Sequence, residues 1–203
     1  AVSDSKAYDG LVTSIGVPFL SGTTPLAPGD TAPVWRQTFV DKNAGAGKTI
    51  NAAGSVNDGN GGNNYFYNFV PDGSGVITAR TITVSPQIDT SKIYDGTTAS
   101  SVAPSINPAL VGTDTSAFIQ TFDSPIVGIG KTITASGTVN DGNGGNNYII
   151  TFDPPITTGE IKKATPTLSV TNSPAAYNGL PQSATVSASV LGLVSNILTD
   201  GAV

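Results

Sequence analysis

Residues 56–65 read VNDGNGGNNY, and residues 139–148, which lie 83 positions later, read the same ten letters. Ten consecutive identities within 203 residues indicate a tandem repeat, and an internal repeat constrains a fold more than most other sequence features. Shorter matches surround this stretch in the same order: SKAYDG with SKIYDG, QTF with QTF, and GKTI with GKTI. The chain is therefore expected to contain two units of one kind.

The residues around the repeated stretch have the pattern of β-strands. Residues 132–139 (TITASGTV) alternate Thr or Ser with apolar or small residues, which is the period of two expected of a half-buried strand. The same alternation is found in residues 50–56, and it resumes in residues 65–69 and 148–152. Gly and Asn tolerate the positive φ angles that tight reversals of the chain need. Two predicted strands joined by an Asn/Gly loop therefore predict a β-hairpin in each unit.

These patterns predict an all-β chain of tandem Ig-like β-sandwich modules, arranged end to end as an elongated rod. Unit 1 spans residues 1–80, unit 2 spans residues 81–164, and residues 165–203 form part of a third unit in which Tyr177-Asn178-Gly179 takes the place of Tyr-Asp-Gly. Both joins contain strand-like sequence and no Gly/Ser linker, so limited bending is expected.

Unit 1 contains no counterpart of Thr81-Ile82-Thr83-Val84, the expected first strand of unit 2. Unit 1 is therefore expected to lack its first strand, and a sheet that lacks a strand has an unpaired edge. Two explanations stay open. Either the protein continues beyond the given chain, or a neighbouring copy donates the strand.

The composition excludes several classes of function. Charged residues make up 11% of the chain, the net charge is −5, and Lys and Arg form no cluster, which argues against binding to nucleic acid or to an anionic membrane surface. No stretch approaches the roughly 18 apolar residues of a membrane span, so no membrane insertion is expected. Without Cys and His the chain lacks disulfides, the usual transition-metal ligands and the usual nucleophile and base, so we expect neither enzyme activity nor a cofactor.

The repeated polar and aromatic residues are interpreted as structural. The tyrosine of the Tyr-Asp-Gly motif is expected to bury its ring and to bond its hydroxyl to the backbone, while the Asp and Gly of the motif shape the adjoining turn. These structural residues are Tyr8, Asp9, Gly10, Asn64 and Tyr65 in unit 1, and Tyr94, Asp95, Gly96, Asn147 and Tyr148 in unit 2.

The Asn/Gly loops contain oxygen ligands that suit Ca²⁺, of which Asp58, Asn60, Asp141 and Asn143 are the weak candidates. Each loop has a single carboxylate, and the ligand order of an EF-hand is not met. We therefore predict no metal, and we interpret each stretch as a long loop held by Asn hydrogen bonds.

An internal cross-link is a further candidate. The amine of Lys6 or Lys92 could join the carboxamide of Asn64 or Asn147 if a protonated Asp lay beside them. The sequence does not show that these groups meet.

Two other motifs have simpler explanations. Residues 45–49 (GAGKT) resemble a phosphate-binding loop, but the first Gly of that motif is replaced by Lys42, and a strand follows where a helix is needed. Trp35 could stack on a sugar, but Phe118 holds the aligned position in unit 2, so we predict core packing for both.

Taken together, Lys-x-Tyr-Asp-Gly, Gly-Lys-Thr, Gly-x-x-Asn-Tyr and a closing Gly-x-Ile resemble the YDG repeat family, in two copies over residues 1–164. Residues 164–182 are similar to an MBG-type bacterial Ig-like repeat that is cut short. The resemblance implies a non-catalytic stalk or fibre module of a large adhesin-like bacterial protein, secreted or on the cell surface. It implies neighbouring repeats or fibre copies as partners, and a host receptor bound by other domains.

Two alternatives to the stalk stay open. The chain could be a calcium- or carbohydrate-binding module, or a self-assembling filament subunit joined by donated edge strands.

Overall fold

The computed structural model describes residues 1–22, 25–32, 35–170, 176, 178–180 and 186–189. All regular secondary structure in these residues is β-strand, as the sequence predicts. The described residues contain no helix that is long and apolar enough to cross a membrane. The strands are β1 (Ser5–Ala7), β2 (Arg36–Phe39), β3 (Gly45–Ala53), β4 (Asp72–Thr78), β5 (Arg80–Ser85), β6 (Lys92–Ile93), β7 (Ser105–Asn107), β8 (Thr115–Ser116), β9 (Ile119–Phe122), β10 (Gly128–Ser136), β11 (Val139–Asn140), β12 (Tyr148–Phe152), β13 (Ile156–Lys162), β14 (Leu168–Val170) and β15 (Val186–Ala188).

The two units each form a four-stranded sheet with the same strand order. Unit 1 has the order β1-β4-β3-β2, and unit 2 has the order β6-β13-β10-β9. In both sheets the first pair is parallel and the other two pairs are antiparallel. The sequence repeat thus has a counterpart in the pairing of the strands.

The alternating sequence produces the central strands β3 and β10. Ile133 and Ala135 are buried, whereas Thr134 and Ser136 are exposed, which matches the predicted period of two. Near the start of β3 the register shifts at Gly47, whose φ is 65°, so the GAGKT residues form a bulged strand.

A third sheet has the order β12-β5-β7 and places β5 in the middle. Strand β5 runs parallel to β12 and antiparallel to β7, and its Ile82 and Val84 are fully buried. A further short sheet pairs β8 with β11.

The prediction of a β-hairpin around the Asn/Gly loop was wrong. In unit 2, β10 pairs with β9 and β13, while β12 pairs with β5, so the strands on either side of the loop belong to different sheets. In unit 1, residues 65–69 form no strand. In unit 2 the Asn/Gly loop carries the chain from one sheet to another, because β12, which follows the loop, pairs with β5 at the start of the unit.

The main hydrophobic core contains residues of both units. Unit 2 has a smaller second core of Phe122, Ile133 and Ile161. The main core is made of Tyr8, Phe39, Ile50 and Ile77 from unit 1 and Ile82, Val139 and Tyr148 from unit 2. Only Ala79 separates β4 from β5, so the chain passes from one unit to the next without a loop.

Beyond unit 2 the structure describes little of the chain. Strand β14 pairs with β15 in antiparallel fashion. Tyr177, which marks the predicted third unit, and residues 190–203 lie outside the described residues.

Candidate functional site: the junction between the units

The Tyr-Asp-Gly motif turns the chain at the end of β1. The backbone N–H of Tyr8 donates to Thr78 O at 2.8 Å, the Asp9 carboxylate accepts the N–H of Leu11 at 2.9 Å, and Gly10 has a φ of 78°. In unit 2 the same turn is built from the Asp95 carboxylate, the N–H of Thr97 at 2.8 Å and Gly96 with a φ of 80°.

Tyr8 connects unit 1 to unit 2. Its ring is fully buried and packs edge-on against the ring of Tyr148, with 5.5 Å between the ring centroids. The Tyr8 hydroxyl donates to Asp114 Oδ2 at 2.9 Å, and the Tyr148 hydroxyl donates to the same oxygen at 2.8 Å. The prediction that the Tyr8 hydroxyl bonds to the backbone was therefore wrong, because its acceptor is a carboxylate of unit 2.

The surroundings keep both hydroxyls protonated. Burial and the hydrogen bond to Asp114 raise the pKa of Tyr8 well above its usual value. Burial also raises the pKa of Tyr148 to about 12, with the same carboxylate opposing ionisation. Lys42 Nζ of unit 1 lies 3.9 Å from Asp114 Oδ1, so the carboxylate also has a positive partner across the junction.

Asn147 forms a second set of contacts across the junction. Its side chain is fully buried, and its Oδ1 accepts the backbone N–H of Ala44 at 2.8 Å. Its Nδ2 donates to Asn43 Oδ1 at 3.3 Å. Because Ala44 and Asn43 belong to unit 1, the last Asn of the repeated loop helps to attach one unit to the other.

A single carboxylate organises each Asn/Gly loop. Asp141 accepts the backbone N–H groups of Asn143, Gly145 and Asn147 at 2.7, 2.8 and 2.8 Å. Burial of Asp141 opposes its ionisation, but these three donors outweigh burial and hold its pKa below the usual value. The oxygens of Asp141 therefore serve the loop backbone.

The loop of unit 1 has the same internal bonds in a more exposed setting. Asp58 accepts the N–H groups of Asn60, Gly62 and Asn64, and Asn60 Nδ2 donates to Asn64 Oδ1 at 3.0 Å. The described part of the chain contains no group of three or more Asp, Glu, His or Cys side chains that could hold a metal ion. Asn64 is exposed, whereas Asn147 is covered by unit 1.

Asp30 of unit 1 is the counterpart of Asp114. The Tyr65 hydroxyl donates to Asp30 Oδ2 at 2.7 Å and accepts the N–H of Ala27 at 2.8 Å. In unit 2 the Tyr148 hydroxyl likewise accepts the N–H of Val111, at 3.0 Å. Sequence reasoning missed both aspartates, although Asp-Thr recurs at residues 30–31 and 114–115 and was the available signal.

The two tyrosines of the Tyr-Asp-Gly motifs differ in exposure. Tyr8 is 0% exposed because unit 2 covers it, whereas Tyr94 is 46% exposed, so the prediction of a buried ring was wrong for Tyr94. Since the local turn is the same, burial of this tyrosine depends on the unit that comes next in the chain.

The cross-link candidates do not meet. Lys6 Nζ donates to Asp9 at 2.8 Å, and Lys92 Nζ donates to both oxygens of Asp95 at 2.9 Å, which together with Thr97 lowers the pKa of Asp95 to about 2. The hydrogen bonds of Asn147 go to the junction and to its own loop. These lysines therefore form ion pairs with ionised aspartates, where the cross-link requires a protonated acid beside an Asn.

Trp35 is 8% exposed and packs inside an aromatic cluster. Its ring lies edge-on to Tyr67 at 6.1 Å and to Phe69 at 6.2 Å, measured between ring centroids. A Cβ on Gly54 would lie 2.3 Å from the indole ring, so this position accepts only Gly beside Trp35.

Comparison with known families gives one match. Residues 78–158 match the model of the YDG domain family, a range that begins just before β5 and ends in β13. No curated protein and no solved structure matches the chain.

Proposed function

We propose that the chain is a non-catalytic structural module, a piece of the stalk or fibre of an adhesin-like bacterial surface protein, in which YDG-type units are joined in series. The observation that supports this most is the shared core, in which Tyr8 and Ile77 of unit 1 pack with Ile82 and Tyr148 of unit 2. A stalk needs a joint that transmits load without bending, and a continuous core supplies one.

The hydrogen bonds across the junction support the same role. Tyr8 to Asp114 and Ala44 to Asn147 are both contacts between units, and both are made by repeated motifs. In this proposal unit 1 is a YDG repeat like unit 2, the tail after residue 165 is an MBG-type repeat, and the whole is secreted or attached to the cell surface. Receptor binding then belongs to other domains.

Pulling the chain by its ends in a force spectrometer tests this proposal. Units 1 and 2 are expected to resist extension until one of them unfolds, and Asp114→Ala is expected to lower the unfolding force. Asp30→Ala is the matched control, because it removes the same Asp–Tyr bond and the same turn residue at a place where none of the described residues of unit 2 bonds to the carboxylate. A native chain that extends smoothly at low force between the units would contradict the proposal.

The alternatives receive less support. A calcium module would use Asp58 and Asp141, whose carboxylates already accept three backbone N–H groups each. A filament built by strand exchange would need a free strand of the β5 type, and β5 itself is paired on both edges within the chain.

A further inference from the structure

Unit 1 contains an open groove at the place that β5 fills in unit 2. In unit 2, β5 lies between β7 and β12. By alignment, residues 19–21 of unit 1 correspond to β7, and residues 65–69 correspond to β12. Between them lies a cavity of about 290 Å³, which we call the acceptor slot; its lining includes Phe19, Trp35, Phe66 and Phe69.

The walls of the acceptor slot have the surface of an unfilled sheet. Phe66 is 96% exposed, whereas Ile149, its counterpart beside β5, is 55% exposed; Phe19 is 72% exposed. In unit 2 the segment that corresponds to residues 65–69 is a regular strand, in which every residue from Tyr148 to Phe152 pairs with β5. The same segment of unit 1 forms no strand, because it has no such neighbour.

The direction of the missing strand is fixed by a buried glutamine. Gln120 holds the residue two positions after β5, since its Nε2 donates to Gln87 O at 2.9 Å and its Oε1 accepts Gln87 N–H at 2.8 Å. Gln37 holds Val2 in the same way, at 2.9 and 2.8 Å. The carboxyl end of the slot therefore lies at Ala1, whose amino group donates to Val70 O at 2.6 Å.

Asp30 is a second place where unit 1 lacks a contact that unit 2 has. In unit 2 the Asp114 carboxylate accepts one bond from its own Tyr148 and one from Tyr8 of the other unit. Among the described residues, the side chain that donates to the Asp30 carboxylate is that of Tyr65, which corresponds to Tyr148 of unit 2. Within the described residues, no side chain takes the place beside Asp30 that Tyr8 takes beside Asp114.

We propose that the acceptor slot binds a β-strand from another YDG-type unit, with the Thr and Ile/Val alternation of Arg80–Ser85. The strand runs parallel to residues 65–69 with its carboxyl end at Ala1, and the tyrosine of the donor's Tyr-Asp-Gly motif donates to Asp30. A second copy of this chain is not the donor, because its own Arg80–Ser85 is already paired on both edges. The proposal rests on the slot and holds whether or not the chain serves as a stalk.

The test is made on the full chain, extended at its amino terminus. One variant adds Arg-Thr-Ile-Thr-Val-Ser directly before Ala1, and the matched control adds the same six residues with Asp in place of Ile and Val. The first extension is expected to slow hydrogen exchange of the amides in residues 65–69 by at least about tenfold, because new ladder bonds protect them. The control extension is expected to leave their exchange unchanged.

A peptide added in trans provides a second readout. A synthetic peptide of sequence ARTITVS is titrated into the unextended chain and followed by the fluorescence of Trp35, the only tryptophan. The proposal is supported if the peptide binds saturably to the unextended chain and to the chain with the Asp-containing extension, but not to the chain with the first extension. Equal exchange in both extended variants would overturn it, and so would self-association of the unextended chain through the slot.

Discussion

Asp114 joins two units because one of its oxygens accepts a hydrogen bond from a tyrosine of each unit. Buried hydroxyls cost free energy when they lack a partner, so a single carboxylate here satisfies two aromatic residues of the core. Asp114 accepts hydrogen bonds from two tyrosines and Asp30 from one, so the contribution of the contact between the units can be measured by comparing variants of the two aspartates.

Asp114→Ala is expected to lower the free energy of unfolding by about 2–4 kcal/mol, since it leaves the Tyr8 and Tyr148 hydroxyls without their acceptor. Asp30→Ala is expected to cost about 1 kcal/mol, because it removes one partly buried bond. Urea unfolding of both variants checks the difference. Equal losses would show that the contact with Tyr8 contributes nothing.

Alkaline pH is expected to weaken the junction. The pKa of Tyr148 is raised to about 12 by burial and by Asp114, and that of Tyr8 is raised further, whereas an unfolded tyrosine titrates near 10. A raised pKa gives stability that is complete below about pH 10 and is lost as the pH rises through about 12. Urea unfolding at stepped pH should show this loss, and the double variant Tyr8→Phe, Tyr148→Phe should show much less of it.

Replacement of the loop aspartate by asparagine tests the hydrogen bonds of the repeated loop. Asp141→Asn is expected to lower the free energy of unfolding by about 1–3 kcal/mol at pH 7, because it weakens three hydrogen bonds to a buried anion. Since the pKa of Asp141 is lowered by folding, its contribution is present above about pH 4 and is lost as the pH falls below that value. The difference between Asp141→Asn and the native chain should therefore shrink in acid. A smaller loss is expected for Asp58→Asn, whose loop is exposed, and the opposite order would contradict the account.

At the scale of the strands, glycine decides how closely neighbouring segments approach. A Cβ on Gly137 would lie 2.3 Å from Ala117 O and 2.7 Å from Phe118 Cα, which are backbone atoms that cannot move aside. A Cβ on Gly142 would meet nothing within 4 Å, although its φ is also positive.

Gly137→Ala and Gly142→Ala are compared at the ends of β10 and β11. Both variants strain a positive φ, and the strain is larger at Gly137, whose φ of 133° is less accessible to an L residue than the φ of 73° at Gly142. Gly137→Ala is expected to cost about 1–3 kcal/mol more, because overpacking is added to the backbone strain. Thermal unfolding measures the difference, and equal melting temperatures would rule out the close approach.

Much of this strand arrangement could be predicted from the sequence. The alternation in residues 132–136 predicts β10, and the comparison of the two copies shows that unit 1 has no counterpart of β5. The pairing of β12 could not be predicted, because alternation shows that a strand has two faces but does not identify its neighbours. The hairpin prediction failed for this reason.

The junction was harder to predict than the strands. The Tyr8 hydroxyl meets a carboxylate 106 positions along the chain, and the repeat spacing of 83 does not indicate which residues face the next unit. The motif showed that Tyr8 and Tyr94 are equivalent in sequence, but their burial differs because unit 2 covers Tyr8 and leaves Tyr94 exposed.

At the scale of the whole molecule, the two units are held by three kinds of contact at one place. They share a hydrophobic core, they exchange hydrogen bonds through Asp114 and Asn147, and only Ala79 separates β4 from β5. Each contact restricts rotation about the junction, and together they would make it the stiff point of a series of units.

Residual dipolar couplings test this stiffness most directly. Alignment tensors are fitted separately to the backbone amides of the unit 1 sheet and to those of the unit 2 sheet, in the native chain and in Asp114→Ala. The account predicts one common tensor for both sheets in the native chain and two tensors of unequal magnitude in the variant. Two different tensors in the native chain would mean that the units reorient independently, and would contradict the central claim that they form one rigid joint.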